Sequence, residues 1–349
     1  MSFWKGKRIL ITGNTGFKGS WLATWLHMLG ADIQGYALKP TDNKSLFLDL
    51  RAEEYCPTTF SDIREEKILF AVVERFQPDI IFHLAAQPLV QESYRAPRST
   101  FETNIMGTIN VIEAAMKVNS VKSFVNVTSD KVYQNKSWYR GYRESDVLNG
   151  TDPYSNSKSC ADLISNCYRN SFLEGKFNLA NVRSGNVIGG GDWAENRLIP
   201  DMMRSFLHNE VMPIRNPNST RPWQHVLEPL YGYMMLSKKL YFDATYAVDW
   251  NFGPKEPQNT TVEVIANKYS DYWDRPIKIV KEKDLFDESK YLKLDSGKSN
   301  SRLGWESVWD LDKSIESTFK WYQQHILGRN MRDFTMNQIE EYSTDQELK

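Results

Sequence analysis

The chain has 349 residues, with 43 Lys+Arg against 44 Asp+Glu and a formal charge of −1. That length buries a sizeable core and predicts two domains, or one large lobe with a smaller one appended. The balanced charge supplies no basic field for nucleic acid or anionic lipid, so neither is expected as a partner. The start, MSFWKGKRILITG, has an apolar run too short for a secretory signal, and no stretch reaches the length of a membrane span; a cytoplasmic protein is expected. Cys56, Cys160 and Cys167 fit neither a disulfide framework nor a metal-ligand spacing, so all three are read as reduced and structural, with no metal.

In chain order, Arg8 to Thr12 (RILIT) reads as a buried strand and Gly16 to Leu29 as a helix with apolar residues at helical spacing. The link is GNTGFKG, with Gly13, Gly16 and Gly19. Glycines there permit a tight turn and close approach of a pyrophosphate, while the helix N-terminus offers unpaired N–H groups and partial positive charge. The spacing departs from G-x-G-x-x-G, so its weight comes from the strand before and the helix after. Further strands are expected over 31–38, 79–85, 123–129 and 179–184, with helices over 65–76, 101–118 and 161–172. This alternation predicts an α/β fold with a doubly wound parallel sheet, Rossmann-like. After GNVIGGGDW it loosens into Pro- and Trp-rich segments, as in a smaller substrate lobe. The division expected is 1–185 for the dinucleotide domain and 186–349 for the lobe, with some segments of the lobe returning to the large domain. The last twenty residues read as a loosely held polar tail unless Phe334, Ile339 and Tyr342 pin it.

The tip of the second strand offers Tyr36, Ala37, Leu38 and Lys39 where an acid would commonly meet the adenosine ribose, so the choice between NAD and NADP stays open. In SDIRE, Asp62 and Ile63 are placed for adenine contact, with helix capping an equal account of Asp62. The stretch NVTSDKVYQN ends a strand on Ser129, Asp130 and Lys131, by itself an ordinary solvated turn. In DPYSNSKSCAD, Tyr154 and Lys158 stand at i and i+4, on one helical face. An ammonium beside a phenol, near a cationic nicotinamide, is expected to lower the phenol from about 10 towards neutrality, which makes Tyr154 a base for a hydroxyl proton.

With these motifs in order, the chain resembles the extended short-chain dehydrogenase/reductases and, within them, the nucleotide-sugar 4,6-dehydratases. FWKGKRILITGNTGFKGSWL, HLAAQPLV, TNIMGTINVIEA, RSGNVIGGGDWAENRLIPD, RPWQHVLEPL, WNFGP and YLKLDSGKSNSRLGW carry the resemblance from about residue 3 to 345. Asn14 stands where His is expected in the glycine loop. Relatives acting on dTDP-glucose carry Thr-Asp-Glu at the strand end, whereas Ser-Asp-Lys resembles the branch acting on CDP-glucose.

The resemblance implies NAD held by Gly13, Thr15, Gly16, Phe17, Gly19, Asp62, Ile63, Leu84, Ala85, Ala86, Asn104, Tyr154 and Lys158. It implies a catalytic set of Ser129 on the C4 oxygen, Asp130 as acid for the C6 hydroxyl, Lys131 as C5 base or enolate stabiliser, Tyr154 and Lys158. It places Gln87, Asn186, Arg197, Leu198, Arg215, Arg221 and His225 against a nucleotide-sugar substrate, CDP-glucose, with Glu228 helping to close the pocket, and it implies a homodimer. His83 is read as structural. A 4-epimerase, a dehydratase for another nucleotide, or a non-catalytic NAD(P)-binding regulator are the alternatives; an epimerase has no need of Asp130, and a regulator none of Tyr154 and Lys158.

Overall fold

A run of Ile and Leu buried on both faces is suited to a parallel sheet covered on both sides, and Arg8–Thr12 (β1) is such a strand. The computed structural model describes residues 3–40, 44–214, 217–255, 260–274, 276–279 and 292–347. Helix α1 (Phe17–Met28) follows, then β2 (Asp32–Ala37), β3 (Thr58–Phe60), α2 (Glu66–Phe76), β4 (Ile80–His83), α3 (Gly107–Met116), β5 (Ser123–Val127), α4 (Pro153–Phe172) and β6 (Asn178–Ser184). A seventh strand, β7 (Trp250–Phe252), returns from the C-terminal half.

The order is β7-β6-β5-β4-β1-β2-β3, and every neighbouring pair is parallel. Side chains alternate between two helical layers: Ile9, Ile11, Phe82, Val125 and Val182 enter one core, and Leu10, Ile81, Phe124 and Leu179 the other. The chain steps outward through β2 and β3, then returns to lay β4 on the free side of β1. That reversal opens a crevice outside the carboxyl ends of β1 and β4, where α/β sheets take ligands. Among the described residues no helix is long and apolar enough to cross a membrane.

The C-terminal half contributes α5 (Leu198–Leu207), α6 (Leu227–Phe242), α7 (Leu311–Ile326) and α8 (Met331–Glu347). Helix α6 packs back on the sheet, where Ser237 Oγ meets Ser123 Oγ at 3.0 Å. The polar C-terminus is a helix and not a loose tail, with Ile339 and Tyr342 buried. Its anchor is Glu228, wholly buried, which accepts from Trp309 N at 2.7 Å, Val308 N at 3.0 Å and Tyr342 Oη at 2.8 Å. Glu228 therefore fastens the core.

Losing a donor to a buried carboxylate costs about 1.5–3 kcal/mol. Tyr342→Phe is expected to lower unfolding stability by that amount in a urea titration at unchanged m-value; an unmoved midpoint would remove Tyr342 from the anchor.

Candidate active site

The sharp exit from β1 requires a left-handed residue, and Gly13 has φ +74. A Cβ on Gly13 would lie 2.7 Å from Ala85 N, and one on Gly19 2.2 Å from the Gly13 carbonyl oxygen, so the turn is packed backbone on backbone. Gly16 caps α1 with no side-chain hydrogen bond, which leaves the first-turn amides of α1 without a side-chain acceptor. Thr15 Oγ1 donates to Leu38 O at 3.0 Å, and the Phe17 ring lies under Gly189. Asn14 is buried against Gly35, its Nδ2 donating to Thr58 Oγ1 at 2.7 Å, so it ties the exit of β1 to the middle of β2 and the start of β3. Cradle, bare helix end and absent side chains fit a dinucleotide pyrophosphate.

At the tip of β4, His83 Nδ1 meets Thr12 Oγ1 at 2.7 Å and its Nε2 meets Thr108 Oγ1 at 3.1 Å. Burial drives this imidazole down to about 3, so it is a neutral structural group. Leu84 N and Ala85 N both donate to Thr12 Oγ1 at 3.2 Å, which brings the Leu84–Ala86 segment beside Gly13.

The side chains of Asn104 and Gln87 are hydrogen-bonded within the protein. Asn104 sits in a π-turn (Glu102–Met106), accepts from Gln87 N at 2.8 Å, and spends its amide hydrogens on Gln87 O at 3.1 Å and Ser157 Oγ at 2.8 Å. Gln87 Nε2 is likewise engaged by Leu89 O at 3.1 Å and Thr100 Oγ1 at 2.9 Å. Both saturate a loop that binds β4 to α4. Asp62 accepts from Arg64 N at 2.9 Å and pairs with its guanidinium at 2.7 Å, contacts that hold its carboxyl below the usual range; Ile63 is buried against Gly107.

Where β5 ends, Ser129 Oγ accepts from Lys131 N at 3.2 Å and donates to Asp130 Oδ1 at 3.1 Å. Asp130 is 3% exposed and its Oδ2 is without a hydrogen-bond partner. Burial raises this carboxyl above its ordinary value, opposed by the charge of Lys131, the Ser129 hydroxyl, and the charges of Arg221 and Lys18. Lys131 itself is half-buried.

Asp152 caps α4 through Ser155 N at 2.9 Å, with Pro153 in the first turn, and this cap orients the helix that carries Tyr154 and Lys158. Burial raises the Tyr154 phenol, and the Ser129 hydroxyl and the Arg197 charge pull against it. Lys158 Nζ donates to Val127 O at 3.1 Å, and burial lowers it to about 8 against the charge of Asp162.

A second buried lysine had no sequence-level signal. Lys18 lies inside the glycine loop, and its Nζ crosses the cleft to Ser184 Oγ at 2.8 Å. Burial lowers it to about 8, opposed by the Asp130 charge and helped by Arg197 and Lys158.

Of the substrate candidates, Arg197 pairs with Asp192 at 2.8 Å and its charge reaches Tyr154 and Lys18; Leu198 opens α5 beside it. Arg221 is buried within the electrostatic reach of Asp130. Asn186 follows the tip of β6, its carbonyl accepting from Gln224 N at 3.2 Å. Arg215 lies outside the described residues. His225 is wholly buried, its ring 5.8 Å from Trp21 and 4.8 Å from Trp309, and burial drives it down to about 3.

The sequence profile described as GDP-mannose 4,6 dehydratase matches residues 10–318. The chain belongs to that family. It is 45% identical to the CDP-glucose 4,6-dehydratase of Salmonella typhimurium across 98% of this chain and 97% of the relative. With the dTDP-glucose 4,6-dehydratase of the same organism it shares 25% identity over 90% of this chain and 92% of the relative. In fold it is similar to the dTDP-glucose 4,6-dehydratase of Streptomyces venezuelae, solved with NAD bound, at TM-score 0.79 and 21% identity over 92% of this chain and 98% of that one. The UDP-glucose 4-epimerase of Thermotoga maritima superposes at TM-score 0.80 and 20% identity over 91% and 99%.

Gly19→Ala tests the cradle in the free protein, since the added methyl has no room beside the Gly13 carbonyl. Overpacking of this kind costs about 1–3 kcal/mol, and thermal unfolding is expected several degrees below that of the parent chain; an unchanged Tm would show that the loop has slack.

Proposed function

We infer that the protein is a hydro-lyase that dehydrates CDP-glucose to CDP-4-keto-6-deoxyglucose with NAD as resident cofactor. The chemistry rests on one observation above the rest: a buried carboxyl, Asp130, with an unpartnered oxygen, set between Ser129 and a cluster of cations. The choice of nucleotide rests on the 45% identity with the Salmonella relative, shared over nearly the whole chain.

Gly13, Gly16, Gly19 and the first turn of α1 would hold the pyrophosphate, with Thr15, Phe17, Leu84, Ala85 and Ala86 lining the path and Lys18 and Lys158 at its inner end. When bound, NAD accepts the hydride from C4 of the hexose and returns it to C6. Tyr154 takes the O4 proton as the C4–H bond breaks, and Ser129 holds that oxygen. The C4 ketone acidifies C5–H, and Lys131 removes that proton. The freed electron pair forms the C5–C6 double bond as the C6–O bond breaks, and Asp130 delivers its proton to O6 so that water leaves. Lys131 then gives a proton back to C5 as C6 receives the hydride, which completes the 4-keto-6-deoxy product. Arg197 and Arg221, with Asn186, suit the diphosphate of the substrate. With this reading go a division of labour near residue 185, a cytoplasmic location, and a homodimer; exposed Leu163 and Phe172 on α4 and Met106 beside α3 favour a second copy as its partner.

Supplied with NAD and each of CDP-, dTDP-, UDP- and GDP-glucose, the protein is expected to turn over the CDP sugar with at least about tenfold higher kcat/KM, with loss of one water by mass spectrometry. Water loss from none of the four would sink the dehydratase reading. Preference for another nucleotide would leave the chemistry and remove CDP.

Tyr154→Phe is expected to lower turnover by about 10²-fold or more, the usual worth of a positioned base. In Lys131→Met, deuterium uptake at C5 from heavy water should vanish from product and recovered substrate; uptake at the parent rate would return Lys131 to a solvated turn.

A further inference from the structure

Asp162 has no part in the steps above, yet it stands on the catalytic face. Tyr154, Lys158 and Asp162 recur at every fourth residue of α4 and so point the same way. The Asp162 side chain is wholly buried and both oxygens are engaged: Oδ1 by Arg183 Nη2 at 2.7 Å, Oδ2 by Arg183 Nε at 3.0 Å and Thr128 Oγ1 at 2.8 Å. Arg183 also donates to Tyr133 Oη at 2.8 Å and Asp249 Oδ2 at 3.0 Å. Thr128 immediately precedes Ser129, and Arg183 precedes Ser184. One buried pair thus joins the tips of β5 and β6 to the helix that bears Tyr154.

Desolvation offsets most of the attraction in such a pair, so stability alone explains it poorly. Lys158 offers a better reason. Its ammonium donates to the Val127 carbonyl at 3.1 Å, while Asp162, one turn on along the same face of α4, accepts from Thr128 Oγ1 at 2.8 Å, so ammonium and carboxylate meet consecutive residues at one strand end and Asp162 is the opposing charge in a buried site. The other ionisable groups about it are Tyr154 on the same helix, His83 on β4 and Lys18 on α1; His83 is neutral at neutral pH and Lys18 repels. Behind Asp162 stand Arg183 and Asp249.

We propose that Asp162 is a positioning residue of the reaction, whose carboxylate keeps the Lys158 ammonium charged while Arg183 sets how much of that negative charge Lys158 feels. The inference rests on the dehydratase reading only for the catalytic use of Lys158; the coupling is a property of the free protein. Removing the acid and removing the arginine must therefore act in opposite directions.

The test is an NMR titration of ¹³Cε-lysine in the protein without substrate, the Lys158 signal being assigned by its loss in Lys158→Arg. The native midpoint is expected at about 8. It should fall by about one pH unit in Asp162→Asn and rise in Arg183→Gln, where the carboxylate is less neutralised. The alkaline limb of kcat should move with the same signs. Equal midpoints, or shifts of one sign in both variants, would overturn the proposal and leave a merely structural pair. Should Asp162→Asn fail to fold, Arg183→Gln and Thr128→Val carry the test, both with an expected rise; no rise in either overturns it. Opposite shifts without turnover of CDP-glucose by the native chain would uphold the coupling and overturn the dehydratase reading instead.

Discussion

A carboxyl group buried with one oxygen unpartnered is the constraint to which the cleft answers. Ionised, Asp130 would lose most of its hydration without recovering it in hydrogen bonds, a cost of several kcal/mol; protonated, it avoids most of that. Burial therefore raises its carboxyl, while Lys131, Ser129, Arg221 and Lys18 oppose the shift. Tyr154 lies beyond Ser129, with its own proton held by burial and loosened by the Ser129 hydroxyl and Arg197.

The scaffold brings these groups together because four parallel strands, β1, β4, β5 and β6, end along one edge. Gly13, Ala85, Ser129 and Ser184 stand at or just past those ends. Fasteners then remove slack: Asn14 across β1 to β3, Thr12 with His83 across β1 and β4, Asn104 from the β4 loop to α4, and Asp162 with Arg183 across α4, β5 and β6. Each uses the side chain of a buried polar residue, so hydrogen bonds tie the strand ends to one another and to α4.

Strands and helices of the first half were legible because their buried runs and helical spacings are local. The glycine loop and the Tyr154–Lys158 pair were legible for the same reason, each lying on one turn or one face. Contacts distant in sequence were not. Lys18 reads as part of a loop valued for its glycines, and only folding shows its Nζ on Ser184, 166 residues away. His225 and Glu228 carry polar types that suggest a pocket, yet Trp21 and Trp309 flank the first and backbone and tyrosine donors engage the second. The i to i+4 spacing gives the shared face of Tyr154 and Lys158 but not the carbonyl, that of Val127, to which the Lys158 ammonium turns.

The account stands or falls on the protonation of Asp130, which infrared difference spectroscopy reads without turnover. At neutral pH the native protein should show a carboxylic-acid carbonyl band that is missing from Asp130→Asn and that shifts in heavy water. A difference spectrum holding only carboxylate bands at that pH would mean that Asp130 is ionised, and the proposed acid for the C6 hydroxyl would be contradicted.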